Sequence, residues 1–173
     1  GYPGSGSTPN KMGFDFFYGY NCQRQAHTYF PPFLYRNEER EYLNNKIIQP
    51  ATLLDENADP YSLVSYNKYT QNQYSPELMF TEIISFINRS KENPFFLFWS
   101  TTIPHVPLQA PQRWIDYYVE KFGDEAPYLG DQGYYPTRYP NATYAAMISY
   151  LDEQIGLLIQ YLKENGLYEN TLI

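Results

Sequence analysis

Phe95-Phe96-Leu97-Phe98-Trp99-Ser100-Thr101-Thr102-Ile103-Pro104-His105-Val106-Pro107-Leu108 is the stretch on which the fold turns. It begins with an apolar run of strand length. The run leads into a turn stiffened by Pro104 and Pro107, and that turn carries His105, one of 2 histidines in the chain. Open α/β folds bury such strands on both faces and place functional groups beyond their carboxyl ends. The stretch therefore predicts a buried strand over residues 95–100 with a functional turn behind it.

Working outward, Ser75-Pro76-Glu77 offers a cap, a proline for the first turn and an early negative charge. Met79, Ile83, Ile84 and Ile87 follow at helical spacing, predicting an amphipathic helix from Pro76 to about Arg89. Asn93-Pro94 closes the connection to the strand. Downstream, Pro140-Asn141 precedes Tyr144, Met147, Ile148, Leu151, Ile155, Leu158, Ile159 and Leu162, a long apolar stripe that stops at Asn165-Gly166. Asn170-Thr171-Leu172-Ile173 reads as the opening of another strand. Helix, strand, excursion, helix and incipient strand describe an internal slice of a layered α/β protein. Its exposed strand edges predict self-association.

Gly1-Tyr2-Pro3-Gly4-Ser5-Gly6-Ser7 reads as a loop, and Met12 to Tyr20 as a Gly-bounded turn packed by its own aromatic rings. Pro31-Pro32 forces extended backbone. Residues 34–74 show no sustained period and predict loops, with short strands near Lys46-Ile47-Ile48 and Ala51-Thr52-Leu53-Leu54. So long an irregular stretch suits a lid, an insertion or substrate-facing loops.

Only 18% of the 173 residues are charged and the net charge is −7, which argues against a nucleic-acid backbone or an anionic membrane as partner. The 20 tyrosines suit packing at segment interfaces, with a carbohydrate-lining surface as the other reading. Cys22 is alone, so no intrachain disulfide forms, and it is expected to be a small buried or half-buried side chain. No apolar span reaches membrane length.

His105 is suited to acid or base work when neutral and to holding an anion when protonated. An ordinary loop histidine is the plainer reading. His27 lies in Gln23-Arg24-Gln25-Ala26-His27, where Arg24 offers a forked donor set to an anion. Two histidines without nearby cysteines make no zinc site, and Asp15, Asp55, Asp59 and Asp152 have no calcium-loop spacing. No Gly-rich phosphate loop, nucleophile elbow or serine triad is present. Asp152-Glu153 is read as the solvated face of the later helix.

Several segments together resemble the formylglycine-dependent sulfatases, the arylsulfatase-like branch of the alkaline-phosphatase-like superfamily. They are Gly13-Phe14-Asp15-Phe16-Phe17-Tyr18-Gly19, Gln23-Arg24-Gln25-Ala26-His27 with Tyr29-Phe30-Pro31-Pro32 and Tyr35-Arg36-Asn37, Pro104-His105-Val106-Pro107-Leu108, Tyr144-Ala145-Ala146-Met147 leading to Leu151-Asp152 and Gly156, and Leu167-Tyr168-Glu169-Asn170-Thr171-Leu172-Ile173. The resemblance frames the chain apart from roughly residues 48–73 and 123–138, which stand as variable loop regions.

The resemblance implies a partial three-layer α/β/α catalytic domain, with residues 1–173 an internal fragment of it, in a parent that hydrolyses a sulfate ester. His105 matches the catalytic histidine that contacts the sulfate group or the ester oxygen, and His27, Arg24 and Gln23 match a substrate-binding region. The family's nucleophile motif, its early Asp-Asp metal ligands, its Lys-x-His segment and its Asp-Asn pair are absent here. Calcium and formylglycine are thus expected in the full-length parent, with no cofactor and no metal ligand in this chain, which is expected to be inactive alone. The resemblance also implies a periplasmic or extracellular enzyme acting on a sulfated small molecule or glycan, without a transmembrane segment. Two alternatives remain: a phosphoesterase or phosphoglycerol transferase of the same superfamily, and a noncatalytic carbohydrate-binding fragment suggested by the Tyr and Asn of residues 34–74.

Overall fold

The computed structural model describes residues 4–173, so the first three residues of the opening loop lie outside it. Three helices carry the architecture: α1 (Ser75–Ser90), α2 (Gln112–Phe122) and α3 (Pro140–Glu164). A small antiparallel sheet, in the order β1-β2-β3, is built from β1 (Tyr18–Gly19), β2 (Phe33–Arg36) and β3 (Glu39–Tyr42). The β2–β3 hairpin turns through Asn37 at φ 56°, a left-handed conformation that Asn tolerates better than most residues. The Asn37 Oδ1 accepts from the Phe17 N–H at 3.0 Å, tying the aromatic N-terminal turn to the hairpin.

Helix α1 starts where the Pro and Glu signals place it, but Ser75 does not cap it. Its wholly buried hydroxyl instead pairs with the Tyr20 hydroxyl at 2.6 Å, and its N–H donates to the Tyr29 carbonyl at 2.8 Å, so the residue joins two segments. Helix α3 ends in a Schellman motif: Gly166 sits at φ 67°, its N–H donates to Lys163 O, and the Leu167 N–H donates to Leu162 O at 2.8 Å.

Helix α2 was not anticipated. It is flanked by Pro111 and by Gly123 at φ 77°, and packs Trp114, Ile115 and Tyr118 against the core formed by Tyr29, Phe30, Tyr74, Ala146, Met147 and Tyr150. Ala142 and Ala146 on α3 are fully buried and carry only a methyl, which leaves room for this packing. Glu153, expected on a solvated face, pairs with Arg113 and accepts from the Trp114 indole N–H at 3.2 Å, while Asp152 is exposed.

Residues 95–100 join no ladder among the described residues, which corrects the expected buried strand. Phe95, Leu97 and Trp99 pack on Ile83 and Ile87 of α1 and Leu162 of α3, whereas Phe96 is 75% and Phe98 68% exposed. The helices cover one face only, and no described strand flanks the other. Residues 171–173 likewise follow a short 3-10 turn without entering a ladder.

The long excursion is organised differently from expectation, with its strands at β2 and β3 and a 3-10 helix at Leu63–Tyr69. Residues near 46–48 and 51–54 form no strand. Side-chain amides do the pairing there: Asn45 Nδ2 donates to Pro31 O and Gln73 O, its Oδ1 accepts from the Asn72 and Gln73 N–H groups, and Gln71 Nε2 donates to Lys46 O. The amides meet backbone groups that a sheet would otherwise satisfy. The N-terminal rings also pack outward rather than on one another, Phe14 with Phe96 and Phe16 with Phe86, each pair at 6.3 Å between centroids.

Candidate functional site

The turn after residues 95–100 is held from beneath by Tyr29, which is 1% exposed. Its hydroxyl lies 2.9 Å from both the Thr102 and the His105 carbonyl oxygens, and the His105 N–H donates to Thr102 O at 2.8 Å. Burial pushes the Tyr29 phenol up to about 12, against the opposing pull of its hydrogen bond to Thr102, so it stays a neutral donor at physiological pH. Gln109 locks Tyr29 in turn. Its Oε1 accepts from the Tyr29 N–H at 2.8 Å, its Nε2 donates to Tyr69 O, and its own carbonyl accepts from the Tyr74 hydroxyl at 2.9 Å.

On this support the His105 side chain is exposed, with Nδ1 2.6 Å from the Val106 carbonyl oxygen. A carbonyl only accepts, so Nδ1 carries the proton in this arrangement and Nε2 is the nitrogen left for a ligand. His27, remote in sequence, lies stacked with His105 at 5.8 Å between ring centroids and 10° between planes. Tyr134 meets both rings edge-on, at 5.7 Å from His27 and 6.2 Å from His105.

The other anticipated residues lie beside this cluster in sequence, but the ring contacts join only His27, His105 and Tyr134. Gln23 is exposed and lines an open cleft of about 320 Å³ with Asn21, Cys22, Met79, Ser100 and Thr102. Arg24 is exposed and has no side-chain hydrogen bond or ion pair among the described residues. Cys22 is exposed, contrary to the buried role expected for it, because the turn at residues 22–26 turns it toward the cleft. Asn21 Nδ2, buried at the same cleft, has no hydrogen-bond partner among the described residues. Tyr134, Tyr29 and Gln109 were not singled out as functional from sequence. Tyr29 lies within a quoted segment, but Tyr134 belongs to a region outside the resemblance.

Among the described residues no group of three or more His, Cys, Asp or Glu side chains is placed to hold a metal ion. The donor set here does not fit a calcium cage, and no chemical step is assigned through one. No helix among the described residues is long and apolar enough to cross a membrane.

His27 thus stacks on the turn that carries His105, beside an open polar cleft lined by Gln23, Ala26, Ser100 and Thr102. The chain belongs to the sulfatase family, whose family model matches residues 2–173. It is 26% identical over 167 residues to the uncharacterized sulfatase YdeN of Escherichia coli (strain K12), covering 95% of this chain and 22% of that protein. It is 30% identical over 134 residues to an arylsulfatase of Klebsiella aerogenes, covering 58% and 29%. An uncharacterized sulfatase of Schizosaccharomyces pombe, PB10D8.02c, is 26% identical over 155 residues, covering 70% and 27%. The chain thus spans about a quarter of the length of these relatives. Family membership supports an alkaline-phosphatase-like α/β domain, of which the helices and small sheet described here are consistent with a part.

Proposed function

We propose that in the whole protein this segment walls a pocket that hydrolyses a sulfate ester. The observation that carries the reading is the stacking of His27 on His105, which joins two separate segments of the family resemblance at one point. In this reading His105 contacts the sulfate group or the ester oxygen. With Nδ1 tied to Val106 O, protonated Nε2 is the group that donates to the departing alcohol oxygen as the sulfur–oxygen bond breaks. His27 contacts the same substrate, and Arg24 and Gln23 contribute donors from the adjoining turn. Calcium and the formylglycine nucleophile belong to the remainder of the parent, so this chain by itself is inactive. The parent acts on a sulfated small molecule or glycan in a periplasmic or extracellular setting, and the uncovered faces of the isolated segment self-associate.

His105→Ala in the full-length, formylglycine-modified protein tests the reading. The expected result is a fall of about a hundredfold in kcat/KM for an aryl sulfate, the size of one lost transition-state contact. Because the side chain is exposed, the melting temperature should stay close to that of the parent. Unchanged kcat/KM in a folded and fully modified variant contradicts the assignment.

A further inference from the structure

We propose that Tyr134 selects the alcohol portion of the substrate, by stacking a ring of the leaving group, pyranose or aryl, beside the two histidines. The proposal rests on the sulfate-ester reading above. His27, His105 and Tyr134 form a near-equilateral triangle, with centroid separations of 5.8, 5.7 and 6.2 Å, and the tyrosine ring stands 72° and 76° from the two imidazole planes. The ring is half-buried, and its hydroxyl has no hydrogen-bond partner among the described residues. It combines apolar ring surface with a free polar tip, which suits a ring bearing hydroxyls or an ether oxygen.

The surrounding loop is built to hold this position. Tyr128 and Thr137 bridge it with two N–H···O bonds of 2.9 Å. The next residue, Tyr135, is buried in a cluster with Tyr66 and Tyr69, and its hydroxyl donates to Ile48 O at 2.9 Å. Arg138 donates to Tyr61 O at 2.9 Å and Glu125 O at 2.7 Å. Gly130 sits at φ 90°, and a Cβ there would lie 2.7 Å from the Leu53 side chain and 3.0 Å from the Tyr134 carbonyl. These two loop regions therefore pack on each other and present one aromatic side chain to the two histidines. An imidazole can carry the positive charge that meets a sulfate and a phenol ring cannot, which assigns the histidines to the sulfate and Tyr134 to the group attached to it.

The test uses the full-length, formylglycine-modified protein and its Tyr134→Ala and Tyr134→Phe variants. The probes are 4-nitrophenyl sulfate and N-acetylglucosamine 6-sulfate as substrates, with inorganic sulfate as inhibitor. Tyr134→Ala should raise KM about tenfold for the ester whose ring it stacks, Tyr134→Phe should stay within about threefold, and the inhibition constant for inorganic sulfate should move less than about twofold. The arm that loses affinity identifies the ring as aryl or pyranose. An unchanged KM for both esters overturns the proposal. So does parallel weakening of ester and inorganic sulfate, because Tyr134 would then merely prop the histidines. Failure of the unsubstituted protein to hydrolyse either ester or to bind inorganic sulfate overturns the underlying reading, and this proposal with it.

Discussion

Gln109 shows how one buried amide positions a site it does not touch. It is 7% exposed and joins Tyr29, Tyr69 and Tyr74 through its side chain and its carbonyl, and Tyr29 then supports the His105 turn. Gln109→Leu keeps the bulk but strands the Tyr29 N–H and the Tyr69 carbonyl, which should cost about 2 to 4 kcal/mol. Urea unfolding of the variant checks this, and a loss below about 0.5 kcal/mol would show that the two groups find other partners. At this scale His27 and His105 were legible as chemically capable residues next to prolines or an Arg. Their contact was not, because nothing in local spacing encodes a meeting between distant loops. Gln109, set between Leu108 and Ala110, carries no mark that separates it from any polar loop residue.

Helices α1 and α3 were legible because their ends carry local signals, Pro and Glu at one start and Asn-Gly at the other stop, with apolar residues at helical spacing between. Helix α2 was equally legible, with Pro111 and Gly123 at its ends and Trp114, Ile115, Tyr118 and Phe122 at helical spacing between, and its absence from the expected elements is a misreading rather than a missing signal. Residues 95–100 alternate half-buried and exposed side chains but form no strand among the described residues, since hydrophobicity reports a preference for burial and not whether a neighbour is there to provide it. The α2–α3 contact supplies its own test. Burial alone would raise the Glu153 pKa, but hydrogen bonds from Arg113 and Trp114 and the Arg113 charge outweigh it and hold the carboxyl below the ordinary range. A carboxyl lowered in the folded state stabilises above its unfolded pKa and loses that contribution as pH falls through the folded value. Glu153→Gln should therefore cost roughly 0.5 to 1 kcal/mol at pH 7, discounted for partial exposure, and the difference should shrink at an acid pH below the ordinary carboxylate range. Urea titrations at both pH values measure it, and a gap that persists undiminished in acid would assign the effect to packing.

At the scale of the whole chain, family membership over residues 2–173 stands beside a helical layer against one face of an apolar run and the stacking of His27 on the His105 turn that follows that run. Phe96 and Phe98 on that run, and Tyr144, Ile148 and Ile155 on α3, remain exposed apolar surface, and the segment covers about a quarter of its relatives. The legible part of the molecule was the family. The mutual packing of residues 48–73 on residues 123–138 was not legible, since it rests on tyrosine, backbone and glycine contacts that leave no period in the sequence. The central claim is that His27 and His105 act on one bound sulfate ester, and a double-mutant cycle tests it most directly. His27→Ala, His105→Ala and the pair should be compared for kcat/KM on an aryl sulfate in the full-length, formylglycine-modified protein. The account predicts that each single change lowers kcat/KM and that the double loss falls short of the product of the singles by a coupling of at least about 1 kcal/mol. Losses that simply multiply, or a single variant with unchanged kcat/KM, would contradict it.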